Sequence, residues 1–148
     1  MRKVFVTGIG TDVGKTIIAA ILTEALQADY WKPIQCGSLE LTDTERVKRL
    51  VESKQSYFHS EAYLLGTPAS PHYAAEVEDK KIHWGRLKVP ETENTLVIEG
   101  AGGILVPFNY KGESMLDMAK NWDAEVVIVS RNYLGSINHT LLTLKVLM

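Results

Sequence analysis

Residues 2–16 read Arg2-Lys3-Val4-Phe5-Val6-Thr7-Gly8-Ile9-Gly10-Thr11-Asp12-Val13-Gly14-Lys15-Thr16. The first six of these predict a short buried strand, and the apolar run that begins at Ile17 predicts a helix. A strand, a glycine-rich loop ending in Gly-Lys-Thr and a helix are typical of a phosphate-binding loop. Backbone N–H groups of such a loop point at an anion, and the helix N-terminus adds a positive partial charge. The stretch therefore predicts a site for a nucleoside triphosphate.

The spacing of this loop departs from the usual pattern, which has four residues between the first glycine and Gly-Lys. Five residues lie between Gly8 and Gly14, and three lie between Gly10 and Gly14. A plain glycine-rich turn is the alternative, but the strand before the loop and the helix after it favour a phosphate loop. Lys15 would then reach the terminal phosphates, and the Thr16 hydroxyl suits Mg²⁺.

Length and composition bound the kind of protein. The chain has 148 residues, which indicates one domain, and 45% of them are hydrophobic, which allows a substantial core. The net charge of −2 predicts no general attraction to nucleic acid or to an anionic membrane. Cys36 is the single cysteine, so an internal disulfide and a multi-cysteine metal site are excluded. Without a leader or an apolar run of membrane-spanning length, we expect a cytoplasmic protein.

Strands rich in Val and Ile alternate with helices along the chain. We predict strands at 30–34, 95–99 and 125–130, helices at 15–26, from 42 onward and at 137–147, a surface loop at 53–60 and turns at 68–72. In the first helix, Ile17, Ile18, Ile21, Leu22, Ala25 and Leu26 would form the apolar face. The alternation predicts an α/β fold: a three-layer, P-loop NTPase-like parallel sheet with helices on both faces.

The end of the chain bears on domain organisation. We expect residues 1–148 to form a single P-loop NTPase-like domain. The last helix reaches Met148 without a stop signal, and an open parallel sheet usually continues with another strand. The expectation is therefore a domain that lacks its C-terminal part.

Ligands of such sheets bind beyond the carboxyl ends of the strands. Glu99 ends an apolar strand just before a glycine-rich turn, where an acid commonly helps to hold Mg²⁺; a solvated turn carboxylate is the alternative. Lys32 follows the second strand, which would bring it near the phosphates if that strand neighbours the first; an exposed surface lysine is the ordinary alternative. From spacing alone, Asp43 reads as a charge that complements a helix start.

Five segments together resemble the dethiobiotin synthetase family. They are Gly8-x-x-Thr11-Asp12-x-Gly14-Lys15-Thr16, Lys32-Pro33-Ile34-x-x-Gly37-Ser38, Ser70-Pro71-His72, Val97-Ile98-Glu99-Gly100-Ala101-Gly102-Gly103 and Leu134-Gly135-x-Ile137-Asn138-His139-x-Leu141-Leu142-Thr143. Their order matches, and their combination is highly specific. The resemblance implies an ATP- and Mg²⁺-dependent cyclo-ligase of biotin synthesis, which turns 7,8-diaminopelargonate, carbon dioxide and ATP into dethiobiotin, ADP and phosphate.

The resemblance also implies roles for individual residues. Lys32 and Lys15 would be catalytic, and Mg²⁺ would be held by Thr16, Asp43 and Glu99. The nucleotide contacts would be Asp12, Val13, Gly14, Lys15, Thr16, Ile17, Asp43, Glu99, Gly100, Ala101 and Gly102. Substrate would be bound by Cys36 and, from the other subunit of a homodimer, by Gly135, Ser136, Ile137 and Asn138. The chain departs from the family at position 12, where Glu is usual, and at position 36, where Ser or Thr is usual.

Two other functions remain open at the level of sequence. One is a nucleotide-regulated switch or partitioning ATPase on the same scaffold. Such proteins carry an additional lysine five residues before the Gly-Lys lysine, and Gly10 at that position counts against them. The other is a synthetase-like domain of a larger amide-forming or acyl-transferring enzyme. The segment 135–139 favours the dethiobiotin synthetase resemblance over this second alternative.

Overall fold

A parallel five-stranded sheet forms the centre of the computed structural model, which describes residues 1–148. The strands are β1 (Lys3–Gly8), β2 (Asp29–Trp31), β3 (Ile34–Cys36), β4 (Phe58–His59), β5 (Tyr63–Leu65), β6 (Leu96–Gly103) and β7 (Glu125–Val129). The helices are α1 (Lys15–Leu26), α2 (Asp43–Leu50), α3 (Pro71–Val77), α4 (Met115–Asn121) and α5 (Ser136–Leu147), with a 3₁₀ turn at Trp84–Arg86. The central sheet has the order β4-β2-β6-β1-β7, and every neighbouring pair is parallel.

Apolar side chains pack on both faces of this sheet. Val6 and Val97 face a cluster that includes Ala19 of α1 and Val47 of α2. Their strand neighbours point the other way, into a larger cluster with residues of α3 and α4; its members include Phe5, Ile98, Ala74, Met115 and Trp122. The α/β architecture with a parallel sheet and helices on both faces is therefore confirmed. None of the helices combines the length and the apolar character that crossing a bilayer requires.

The strand predicted at 30–34 is wrong as a single element. It is divided at Lys32 and Pro33: β2 belongs to the central sheet, whereas β3 pairs with β5 in a separate two-stranded sheet. Pro33 has no backbone donor, and its carbonyl accepts hydrogen bonds from the N–H groups of Ala62 and Tyr63. The division turns the chain at Lys32, directly beyond the end of a central strand.

Other element predictions also need correction. The segment 53–60, predicted as a loop, contains β4, which pairs with β2. The turns predicted at 68–72 lead into α3, and α4 was not predicted. The strand predicted at 95–99 continues to Gly103. Its pairing with β1 is irregular, because Glu99 lies opposite Val6 but Gly103 lies opposite Gly8, and the extra residues form a bulge beside the phosphate loop.

The apolar face predicted for α1 is only partly right: Ile18 and Leu22 pack against the core, but the other predicted residues do not. The helix buries Ala19, Ala20 and Thr23, whereas Ile17 and Ile21 are 53% and 56% exposed. Small side chains allow a helix to approach a sheet closely, so the alanine face is the one that packs, and the bulkier isoleucines project outward. The predicted bounds of α1, 15–26, are confirmed.

Candidate active site

The phosphate loop connects β1 to α1. A Cβ atom at Gly8 would lie 2.6 Å from the Gly10 carbonyl oxygen and 2.6 Å from a Val13 methyl group, so only glycine fits there. Gly14 precedes α1 with φ of 103°, and Asp12 adopts φ of 54°, a region that non-glycine residues enter at a cost. Strain of this kind is characteristic of a loop shaped for a ligand.

A cavity of about 680 Å³ opens beside this loop, beyond the carboxyl ends of the central strands. Most of the residues predicted from sequence line it: Asp12, Gly14, Lys15, Thr16, Ile17, Lys32, Cys36, Asp43, Glu99, Ala101 and Gly102. Arg46 and Arg49 of α2 also line it, and the sequence analysis did not identify them as site residues. Residues separated by more than eighty positions thus meet in one place.

Lys32 is the centre of the charge arrangement. Its Nζ lies 2.8 Å from Asp43 Oδ2 and 3.0 Å from Glu99 Oε1, and it donates to the Gly100 carbonyl at 3.2 Å. Burial by itself lowers the pKa of Lys32, but the two carboxylates outweigh it, so the pKa is raised above that of an ordinary lysine. Lys32 is therefore a buried ammonium group held between two carboxylates.

Lys15 lines the same cavity. Its side chain is largely buried, and its Nζ donates to the Gly10 carbonyl at 3.0 Å. Burial, followed by the nearby positive charge of Lys32, lowers the pKa of Lys15. Lys15 and Lys32 therefore line one cavity, as the sequence analysis expects.

Glu99 and Asp43 supply the acidic side of the cavity. Glu99 is 1% exposed; its Oε1 accepts from the Thr16 hydroxyl at 2.9 Å, and its Oε2 accepts from the Tyr30 hydroxyl at 2.7 Å. Asp43 is the first residue of α2, and its N–H donates to Gln35 Oε1 at 3.0 Å. One hydroxyl and two carboxylates are the oxygen donors that Mg²⁺ prefers, so these residues could hold the ion together with phosphate oxygens.

Sequence reasoning missed Tyr30 and Gln35. Both are buried, and each contacts one of the two acids. A tyrosine or glutamine in a short strand gives no sequence signal of such a contact, because the partner is set by which strand or helix lies alongside. Only the order of strands in the sheet brings Tyr30 to Glu99.

Some predicted residues lie elsewhere. Val13 packs in the core below the loop, and Gly100 lies against Phe5, where a Cβ would come within 2.9 Å of the ring. Gly135, Ser136, Ile137 and Asn138 form the start of α5 and do not line the cavity; Ile137 is 78% exposed. Within one chain, the site is therefore built from the segments around 12–17, 32–43 and 99–102.

Cys36, His72 and His139 lie within the sequence segments that carry the family resemblance, and the structure shows what surrounds each of them. Burial, which outweighs the nearby Lys32, raises the pKa of the Cys36 thiol to about 11. His72 lies with Nδ1 3.2 Å from the Pro107 carbonyl, and His139 pairs with the Tyr133 hydroxyl at 2.7 Å. Both histidine contacts are hydrogen bonds outside the site, and neither ring lines the cavity.

Comparison with known proteins identifies the family. A family model described as an AAA domain matches residues 2–148. The chain is 55% identical over 146 residues to the ATP-dependent dethiobiotin synthetase BioD of Christiangramia forsetii, covering 99% of this chain and 70% of that protein. The chain belongs to the dethiobiotin synthetase family. The chain is also 53% identical to the ATP-dependent dethiobiotin synthetase BioD of Cytophaga hutchinsonii, covering 97% of this chain and 69% of that protein. It is 49% identical to the BioD protein of Paramagnetospirillum magneticum, covering 99% of this chain and 70% of that protein.

Membership of the dethiobiotin synthetase family confirms the resemblance drawn from the five sequence segments. The chain spans about 70% of the length of these relatives. Because each relative is named an ATP-dependent synthetase, a switch or partitioning ATPase is not favoured.

Proposed function

We propose that this chain is an ATP-dependent dethiobiotin synthetase, which carboxylates 7,8-diaminopelargonate and closes the ring of dethiobiotin. One observation carries the proposal: Lys15 and Lys32 face a single cavity beside a phosphate loop, in a chain of this family. A reaction that joins two anions needs such a concentration of positive charge.

The proposed reaction has three steps. One substrate amine attacks carbon dioxide, forms a C–N bond and loses a proton, which gives a carbamate. A carbamate oxygen attacks the γ-phosphorus of ATP, the bond to ADP breaks, and a mixed anhydride forms. The second amine attacks the carbonyl carbon, loses its proton and expels phosphate, which closes the cyclic urea. Holding both amines and the carbonyl in place favours this last step through orientation.

The two lysines have distinct roles in this scheme. Lys15 lies inside the phosphate loop and binds the terminal phosphates of ATP. Lys32 lines the same cavity, and its charge offsets the repulsion between carbamate and γ-phosphate. Residues 12–17 and 99–102 together with Asp43 form the nucleotide contacts, and Cys36 contacts the substrate.

Mg²⁺ fits the oxygen groups of the cavity. Thr16, Asp43 and Glu99 would hold it, and the Thr16 hydroxyl already lies 2.9 Å from the Glu99 carboxylate. An ion held there would take the rest of its coordination shell from phosphate and water. When bound, Mg²⁺ would neutralise charge on the phosphates.

A second copy of the chain is part of the proposal. Leu134, just before α5, is fully exposed, and Ile137 in the first turn of α5 is 78% exposed. Both lie beside the N–H groups of that first helical turn. A homodimer would cover these apolar side chains, and the turn at Gly135, Ser136, Ile137 and Asn138 would receive the substrate carboxylate of the other subunit. Residues 1–148 would act as one domain, and the single free cysteine suits the cytoplasm.

Phosphate release tests the proposal directly. Purified protein would be supplied with Mg-ATP and bicarbonate, with and without 7,8-diaminopelargonate. We expect phosphate release that requires the diamine, with dethiobiotin appearing in equal amount by mass spectrometry. ATP turnover of the same rate without the diamine would contradict the proposal and point to a switch.

A further inference from the structure

Tyr30 is a buried residue with a polar group directed at the active cavity. Its side chain is fully buried among residues under α1, and its ring centroid lies 6.3 Å from that of Phe58. In the sheet it lies opposite Val97, and Glu99 is two residues further along β6 on the same face. The ring therefore runs along the sheet towards the carboxyl end of β6.

The two oxygens of the Glu99 carboxylate have different partners. Oε2 accepts only from the Tyr30 hydroxyl, at 2.7 Å, whereas Oε1 accepts from the Thr16 hydroxyl at 2.9 Å and from Lys32 at 3.0 Å. A carboxylate can rotate about its last torsion, which is broad in glutamate. A short bond to a rigid aromatic hydroxyl fixes that rotation, so Oε1 stays directed at the Thr16 and Lys32 side.

We propose that Tyr30 is a positioning residue of this active site: its hydroxyl orients Glu99 for the magnesium ion that accompanies ATP. The inference rests on the function proposed above. Outer-shell donors of this kind commonly set the orientation of a ligating carboxylate.

The hydroxyl is the donor in this contact, because a carboxylate oxygen can only accept a hydrogen bond. The phenol proton therefore points at Glu99. This supports a fixed orientation, in which Tyr30 does not compete with Glu99 for a cation.

A core-filling role alone would not require the hydroxyl. Phenylalanine would fill the same space against Phe58 and Val97 and would remove only the contact with Glu99. Tyr30→Phe therefore separates positioning from packing. Tyr63→Phe is the matched control, because Tyr63 is also a buried tyrosine, but its hydroxyl accepts from the His83 N–H, and it does not line the cavity.

The test measures metal binding by itself. Mn²⁺ would be titrated into each protein in the presence of ATP, with bound ion followed by electron paramagnetic resonance, and ATP binding would be measured separately in EDTA. We expect Tyr30→Phe to weaken Mn²⁺ binding by about tenfold, with metal-free ATP binding unchanged, and Tyr63→Phe to match the wild type. Equal Mn²⁺ binding by Tyr30→Phe and wild type, or equal losses in both variants, would overturn the proposal.

A measurement on the wild-type protein covers the case in which Tyr30→Phe fails to fold. Tyrosine labelled with ¹³C at Cζ would report the six tyrosines by nuclear magnetic resonance. We expect Mg-ATP to shift the Tyr30 signal and not that of Tyr63, because Glu99 then shares its charge with the ion; an unmoved Tyr30 signal refutes the inference. Neither experiment contains the diamine, so failure of dethiobiotin synthesis would be seen separately in the phosphate-release assay.

Discussion

Lys32 is the residue on which the chemistry and the local stability both depend. It pairs with two carboxylates, one of them almost completely buried. Removing one partner of such a group leaves uncompensated charge in the interior, which is strongly destabilising. The same side chain thus offsets the charge of Asp43 and Glu99 and provides the cation proposed for catalysis.

Lys32→Ala and Lys15→Ala should have different effects. Without Lys32, we expect no detectable turnover but most of the ATP affinity, together with a loss of about 3 kcal/mol in the free energy of unfolding. Without Lys15, ATP affinity itself should fall, because its ammonium lies in the phosphate loop. Calorimetry would measure the ATP affinity, and urea titration would measure the free energy of unfolding, with the exposed Lys80→Ala as control. Near-normal turnover in Lys32→Ala, or unchanged ATP affinity in Lys15→Ala, would contradict these assignments.

Cys36 should be slow to react although it lines the active cavity. With its pKa raised to about 11, almost none of the thiol is ionised at neutral pH, and the thiolate is the reactive form. Because Cys36 is the single cysteine, iodoacetamide labelling followed by mass spectrometry reports on it alone. We expect labelling at pH 7.5 to be roughly one hundredfold slower than in urea-unfolded protein and to accelerate as pH rises towards 11. Equal rates would show that the thiol is not protected.

At the scale of elements, the start of α2 fixes Asp43. Thr42 caps the helix: its hydroxyl accepts from the Glu45 N–H at 3.3 Å, and the Glu45 carboxylate accepts from the Thr42 N–H at 3.1 Å. The spacing of Thr42 and Glu45 is that of a capping box, which depends only on residues within one turn. It determines where the helix begins and hence where Asp43 lies.

Thr42→Ala tests the cap. The variant loses the bond to the Glu45 N–H, so we expect the free energy of unfolding to fall by about 1 kcal/mol. Thr42→Ser keeps the hydroxyl and should restore most of that loss. Urea denaturation followed by circular dichroism measures both variants. A Thr42→Ala protein as stable as the wild type would mean that the cap contributes nothing.

Elements defined by local signals were predictable, and elements defined by partners were not. The bounds of α1 follow from the phosphate loop and an apolar run, and those of β7 from a Val-rich stretch. By contrast, β4 has two residues and exists because β2 lies beside it. The buried face of α1 was also misjudged, because hydrophobicity favoured Ile17 and Ile21 whereas close packing selected Ala19 and Ala20.

At the scale of the whole molecule, the end of the sheet opposite the cavity has its own polar cluster. Asp29 is buried at the start of β2 and accepts from the Tyr57 N–H at 2.9 Å and from the Asn94 side chain at 3.0 Å, while His59 Nε2 lies at 3.4 Å. Burial tends to raise the pKa of Asp29, but the hydrogen bonds together outweigh it and leave the pKa below its ordinary value. Three separate segments are joined through this one carboxylate.

Asp29 should make stability depend on pH. A lowered folded-state pKa means that its contribution is present above the unfolded pKa and is lost as pH falls through the folded value. We expect Asp29→Asn to cost about 2 kcal/mol at pH 7 and the difference from wild type to shrink below pH ~4. Urea titrations at pH 7, 5 and 3 measure it, with Asp79→Asn as an exposed control. A difference that stays constant from pH 7 to pH 3 would contradict the linkage.

The sequence alone determined the α/β class, the phosphate loop, the capped start of α2, the family and most of the residues around the cavity. Those features rest on short-range geometry or on motifs whose residues are adjacent in the chain. Tertiary structure decided that Lys32 turns out of the sheet, that it lies between Asp43 and Glu99, and that Tyr30 and Gln35 support those acids. These contacts join strands and helices that are far apart in sequence, and strand order in the sheet, which no local pattern encodes, sets which of them meet.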